Sequence, residues 1–310
     1  MRTGGLGLSV FQLMKPLLAL LTVCLLASCA MPFLPMAPQN PATEIVVPVQ
    51  FRAGAPHVMA SINGKGAIPL LLDTGATMSV FEPDVATGCG LMPTGGRRVQ
   101  IRGVHGIAGA SQAVMNTMDL GQWHTTNVPV LVRGTSSFRP GGLGSAILGM
   151  DHLRRHCSFM TIDYRSGSVE LGFSRAFQPT SRAVTRTPLR WSMGMPIIRV
   201  SAGGISWDAV VDSGSSWGIV IDQSTAARLG HAHDGIGMGS GLILSGVGGS
   251  VRADRAGART IQIPAATLCG ETHHGAILYV MPGPQRIGSR FWQNTRLTVD
   301  FRGNALWLER

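Results

Sequence analysis

Leu70-Leu71-Leu72-Asp73-Thr74-Gly75-Ala76-Thr77 is an apolar run that ends on an acid, a small hydroxyl residue and a glycine. The pattern returns 139 positions later as Ala209-Val210-Val211-Asp212-Ser213-Gly214-Ser215-Ser216. A short apolar run of this kind reads as a buried strand. A carboxylate at the end of such a strand is expensive unless donors or a partner charge attend it. One copy would be a turn after a strand. With two copies, each acid can serve as the other's partner.

The flanks repeat as well. Upstream of Asp73, Val58 to Ile62 leads through Asn63-Gly64 into Ala67 to Leu72. Upstream of Asp212, Pro196 to Ala202 leads through Gly203-Gly204 into Ile205 to Val211. Asn-Gly or Gly-Gly between apolar runs predicts a tight hairpin. Downstream, Ala146-Ile147-Leu148-Gly149-Met150 has a counterpart in Arg286-Ile287-Gly288-Ser289. Each half closes on another hairpin, Thr161 to Gly167 into Ser168 to Leu171, and Thr298 to Asn304 into Ala305 to Leu308. Asp73 to Asp163 spans 90 positions and Asp212 to Asp300 spans 88, so the chain is a duplicated unit of two similar lobes.

Over residues 46–310 the sequence resembles the two-lobed aspartic peptidases, and is most similar to bacterial retropepsin-like proteins with one Asp-Thr-Gly in each half. The resemblance implies an all-β, two-lobed acid-protease fold of pepsin or retropepsin type, with a cleft between β-barrel lobes. It also implies that the two aspartate loops meet at the lobe junction beside the Ile-Leu-Gly segments. Glycine-bearing hairpins cover the cleft in that family. Val104, His105, Gly106 and Gly109 stand at the place of the first, and Gly246, Val247 and Gly248 at the place of the second. There are two departures. Arg286 stands where the family pattern has an apolar residue, and neither hairpin carries the tyrosine of pepsin.

The resemblance further implies aspartic endopeptidase chemistry. Two close carboxylates cannot both ionise cheaply, so Asp73 and Asp212 would share one proton. The ionised acid would take a proton from a water that attacks a peptide carbonyl, while the protonated acid stabilises the oxyanion. Thr74, Gly75, Thr77, Ser213, Gly214 and Ser215 would support the loops. Ser215 supplies a hydroxyl three positions after Asp212, where Asp73 has Ala76. In the family that hydroxyl donates to the outer carboxylate oxygen, which marks Asp212 as the ionised partner. No metal and no cofactor are required, and no dimer is needed to complete the pair. The alternative is a catalytically silent envelope lipoprotein that binds peptide or glycan.

The 310 residues suffice for two medium lobes, and 41 glycines suit short strands with frequent turns. Little helix is expected; the candidates are Pro83 to Ala86 and Ser224 to Leu229. Arg2 and Lys15 precede an apolar stretch from Leu17 to Ala27, which predicts a secretory signal over 1–28, too short for an ordinary membrane span. Leu26-Ala27-Ser28-Cys29 resembles the bacterial lipobox, with Cys29 the lipidated residue, and Met14 looks like a natural start. Prolines at 32, 35, 38 and 41 predict a stiff polyproline linker over 29–45. The lobes then run over 46–173 and 191–310, joined by a linker at 174–190. The expected location is the periplasmic face of the cell envelope, anchored by lipid, in the outer membrane rather than the inner.

The net charge of +10 falls to +8 once Arg2 and Lys15 are removed. The arginines are scattered, and an exported protein does not meet DNA, so nucleic acid is excluded as a partner in favour of peptide or protein substrate. Cys89, Cys157 and Cys269 allow one disulfide and one free thiol, with the pairing open. Gly214 to Gly218 matches a serine-hydrolase elbow only loosely, since a strand rather than a helix follows. His231, His233, His273 and His274 lack a recognised ligand spacing and read as loop histidines.

Overall fold

The computed structural model describes residues 43–96, 98–103, 106–133 and 146–310. The expectations for the 1–28 signal, for Cys29, for most of the 29–45 linker and for Val104 and His105 lie outside these residues.

Among the described residues, helix is confined to Pro83–Gly88, Met150–His156, Gln223–Arg228 and Ser289–Trp292. Pro83 sits in the first turn of its helix, where a missing N–H costs nothing. The Gln223 helix is capped by Asp222, whose carboxylate accepts the Thr225 N–H at 2.7 Å. The other two helices follow the Ile-Leu-Gly and Arg-Ile-Gly segments and are too short to announce themselves by periodicity.

Each lobe starts from the same hairpin. Ala55–Ile62 pairs with Lys65–Leu72, turning at Asn63 and Gly64 with φ of 51° and 73°. Met195–Ala202 pairs with Ile205–Asp212, turning at Gly203 and Gly204 with φ of 54° and 76°. Two consecutive positive φ values are what a two-residue hairpin matching strand twist demands, and Asn-Gly and Gly-Gly meet that demand.

A crossing then follows in both lobes. Ala146–Leu148 runs parallel to Lys65–Leu72 and antiparallel to Val80–Phe81. Arg286–Gly288 runs parallel to Ile205–Asp212 and antiparallel to Ile219–Ile221. The aspartate loop is therefore pinned between its own strand and the strand beyond it. Leu70, Leu72, Ala209 and Val211 are fully buried in the core. The pleat turns Leu71 and Val210 to the opposite face. Burying each leucine contributes about 1.5–3 kcal/mol, which holds the strand ends that carry the acids.

The lobes share a six-stranded sheet built from both halves. Phe159–Asp163 lies against Arg296–Asp300 with Thr161 opposite Thr298, and their buried hydroxyls are 2.7 Å apart. Asp163 and Asp300 cap the turns that follow, accepting the N–H groups of Arg165 at 2.9 Å and Gly303 at 2.7 Å. Glu44–Pro48 is an outer strand of this sheet, so strand begins inside the segment read as a 29–45 linker. Val184–Pro188, inside the segment read as a 174–190 linker, pairs with Ala305–Glu309 at the other edge. Its polar Thr-Arg-Thr pattern concealed an edge strand, because only one face meets the protein.

Candidate active site

The duplicated strands deliver the two aspartate loops to one point. A Cβ on Gly75 would sit 2.6 Å from the carboxyl carbon of Asp212, and one on Gly214 would sit 2.5 Å from that of Asp73. Any side chain at either position would displace the opposing acid, so the glycines set how closely the loops approach. The two carboxyl groups lie within hydrogen-bonding reach of each other. Asp73 Oδ1 accepts the Gly75 N–H at 2.8 Å, and Asp212 Oδ1 accepts the Ser215 N–H at 2.9 Å.

Thr74 and Ser213 lie beneath the acids, each only 1 % exposed. The Thr74 hydroxyl donates to the Val211 carbonyl and accepts the Ser213 N–H at 3.0 Å. The Ser213 hydroxyl donates to the Leu72 carbonyl at 2.7 Å and accepts the Thr74 N–H at 3.0 Å. Four buried backbone groups are thus satisfied across the junction by two side chains. Loss of either would strand a donor and an acceptor.

The loops are less alike one layer further out. Leu71 pairs with Ile147 in the first lobe, and Val210 pairs with Arg286 in the second. Each partnered residue lies two positions before its aspartate, so Arg286 is the counterpart of Ile147. Arg286 is 4 % exposed, and its Nε lies 3.8 Å from Asp212 Oδ2. The same Nε donates to the Ser215 hydroxyl at 3.4 Å, and Nη1 donates to the Pro284 carbonyl at 3.0 Å. The apolar position of the pattern is filled here by a buried cation.

Electrostatics follow the asymmetry. Burial pushes the Asp73 carboxyl well above the usual range, and the negative charge of Asp212 pushes it further. Burial also raises Asp212, but Arg286 opposes that rise most strongly, followed by the Ser215 N–H. Arg286 is itself pulled down by burial and supported by both carboxylates. The easier carboxyl to ionise is Asp212.

The expected Ser215 hydroxyl contact is corrected by this geometry. Ser215 reaches Asp212 through its backbone N–H, while its hydroxyl is turned to Arg286. Thr77 is exposed and offers only its carbonyl, at 3.2 Å from the Asp151 N–H, so it props the Met150–His156 helix rather than the acid.

Two hairpins project from the lobes, Val99–Gly103 with Gly106–Leu120 and Ile243–Gly246 with Gly249–Arg252. Their tips abut. A Cβ on Gly103 would lie 2.1 Å from the Gly248 nitrogen, and one on Gly106 would lie 3.1 Å from the Gly248 oxygen. Gly246 and Gly248 flank Val247, which packs against the cluster of Ala55, Leu71 and Ile147 beside the Asp73 loop. Buried Arg133 donates to the Val247 carbonyl at 3.0 Å, tying the second hairpin to the first lobe. Gly109 lies on the strand away from the tip, with open space where a Cβ would be.

Cys89, Cys157 and Cys269 are all free and buried. Burial pushes the Cys269 thiol up to about 11, away from a nucleophilic state. His231 pairs with Asp234 at 2.7 Å and His273 faces Glu271 at 3.9 Å, both outside the aspartate site. Arg286 was visible in the sequence as a cation in an apolar pattern. Arg133 had no such signal, since the Val247 carbonyl it holds lies 114 positions away and the Glu82 carboxylate it faces belongs to another element.

Residues 58–155 match a family model described as gag-polyprotein putative aspartyl protease. That span holds the Asp73 loop and ends in the helix after Ile147. The fold is similar to the crystal structure of an aspartic proteinase from Irpex lacteus, with a TM-score of 0.53 at 15% identity. The likeness covers 86% of this chain and 96% of that one, so both lobes take part in a pepsin-like arrangement. No curated protein sequence matches the chain.

Proposed function

We propose that this protein is an aspartic endopeptidase in which Asp73 and Asp212 form the catalytic pair. The observation that carries this reading is the approach of the two carboxyl groups, each held against the glycine of the opposite loop. Burial and mutual repulsion keep one proton on the pair across a range where isolated carboxylates would both be charged. The ionised oxygen accepts a proton from water, and the resulting hydroxide equivalent adds to the scissile carbonyl. The protonated acid donates to the oxyanion as it develops. Proton return to the departing nitrogen completes hydrolysis. Neither a covalent intermediate nor a metal takes part in this scheme.

In this scheme peptide enters as an extended strand beneath the two hairpins, and Gly103 and Gly106 must move off Gly248 to admit it. Peptide-library cleavage across a pH series tests the reading, with Asp73→Asn and Asp212→Asn as controls. Either substitution should reduce kcat/KM by at least about 10²-fold, since general acid–base groups contribute 10²–10⁴-fold. Binding of library peptides with no cleavage would favour the silent scaffold instead.

The Leu-Ala-Ser-Cys sequence supports export and lipid anchoring through Cys29 at the periplasmic side of the envelope. Labelled palmitate should enter the wild-type chain in a bacterial host and be absent from Cys29→Ala. Equal labelling of both would remove the anchor.

A further inference from the structure

We infer that Arg286 is the positioning residue that divides the catalytic pair into a base and an acid, holding the negative charge on Asp212 and leaving the proton on Asp73. This rests on the peptidase reading and deepens it. A duplicated site has no intrinsic reason to prefer either carboxyl. Both loops supply one backbone N–H to Oδ1 at nearly equal distance, 2.8 Å and 2.9 Å. The hydroxyl brace beneath them is equally symmetric. Among the described residues, the guanidinium 3.8 Å from Asp212 Oδ2 is a charge set against one acid, at a place where the first lobe buries Ile147.

Arginine stays protonated even when desolvated, so its charge is permanent. In a site this enclosed, with the Asp212 side chain 14% exposed, its attraction is little screened. Among the described residues, Asp151 accepts the Ser79 hydroxyl at 2.9 Å beside the Asp73 loop. It adds an acid on that side, where it works with Arg286 rather than against it, and the remaining groups near the pair do not compete. Tyr164 packs from the shared sheet, and burial followed by the Asp212 charge pushes its phenol upward, so it stays neutral. Met281, Pro284 and Ser215, which complete the Arg286 cradle, carry no charge. Arg286 also attracts Asp73, though less directly, so it favours ionisation at both positions and most at Asp212.

The sign of the consequence is therefore set. The acidic limb of kcat/KM against pH reports protonation of Asp212, and the alkaline limb reports deprotonation of Asp73. Removing the cation in Arg286→Met should move the acidic limb to higher pH and the alkaline limb upward by less, narrowing the active range. Arg286→Lys should restore most of the wild-type profile. A purely structural role for Arg286 would lower activity evenly and leave both limbs in place, and that result would overturn the inference.

A carbon-13 carboxyl NMR titration of the wild-type protein, assigned with Asp73→Asn, gives a readout that needs neither turnover nor the Met variant to fold. Asp212 should be ionised while Asp73 still holds its proton; the reverse order would overturn the inference. Should wild-type protein cleave no peptide, the peptidase reading fails, and this titration, repeated on Arg286→Lys and Arg286→Met, still tests the order of ionisation and its dependence on the cation.

Discussion

Ile147 and Arg286 occupy the same place in the two lobes, opposite the second residue before each aspartate, and differ in everything else. Ile147 packs with Ala55 and Leu71 under the Val247 tip. Arg286 faces Asp212 and is held by Ser215 and Pro284. The hairpins, crossing strands and hydroxyl brace are otherwise near copies. The frame is thus nearly symmetric, and one residue on a flanking strand places a cation against one acid where the other lobe places an apolar side chain. The acids themselves need not differ for one to become the base.

The brace gives the strongest test of the symmetric part. Thr74→Val and Ser213→Ala each strand one buried donor and one buried acceptor. At about 1–3 kcal/mol per stranded group, both should be clearly destabilising, and by similar amounts. Chemical denaturation of the two variants checks this. A large loss in one and none in the other would show that the lobes do not lean on each other equally.

A smaller effect is expected at the asymmetric layer. Ser215→Ala removes a hydroxyl that faces Arg286 but leaves the N–H that holds Asp212 Oδ1. Its acidic limb should move upward far less than that of Arg286→Met. Equal shifts would return the hydroxyl to the central role the family pattern assigns it.

Much of this architecture was legible before any coordinates. Leu70 to Thr77 and its second copy placed the aspartate strands, and Asn63-Gly64 and Gly203-Gly204 placed the turns, because local backbone demands are written into those residues. The Met150–His156 helix and the Val184–Pro188 strand carry no pattern of their own in the sequence, since each is stabilised by what packs on it. The same holds for the site. The glycines and hydroxyls beside each acid follow from adjacency in the chain, whereas the Arg133 bond to Val247 and the Arg286 approach to Asp212 arise from folding over 114 and 74 positions. A cation in an apolar pattern was the visible trace of the second; its partner was not visible.

The central claim is that Asp73 and Asp212 act as one chemical unit. Steady-state kcat/KM for Asp73→Asn, Asp212→Asn and the double variant on one cleaved peptide tests it most directly. The account requires each single change to remove nearly all activity and the double change to remove no more. Losses that multiply, or cleavage that survives both substitutions, would contradict it.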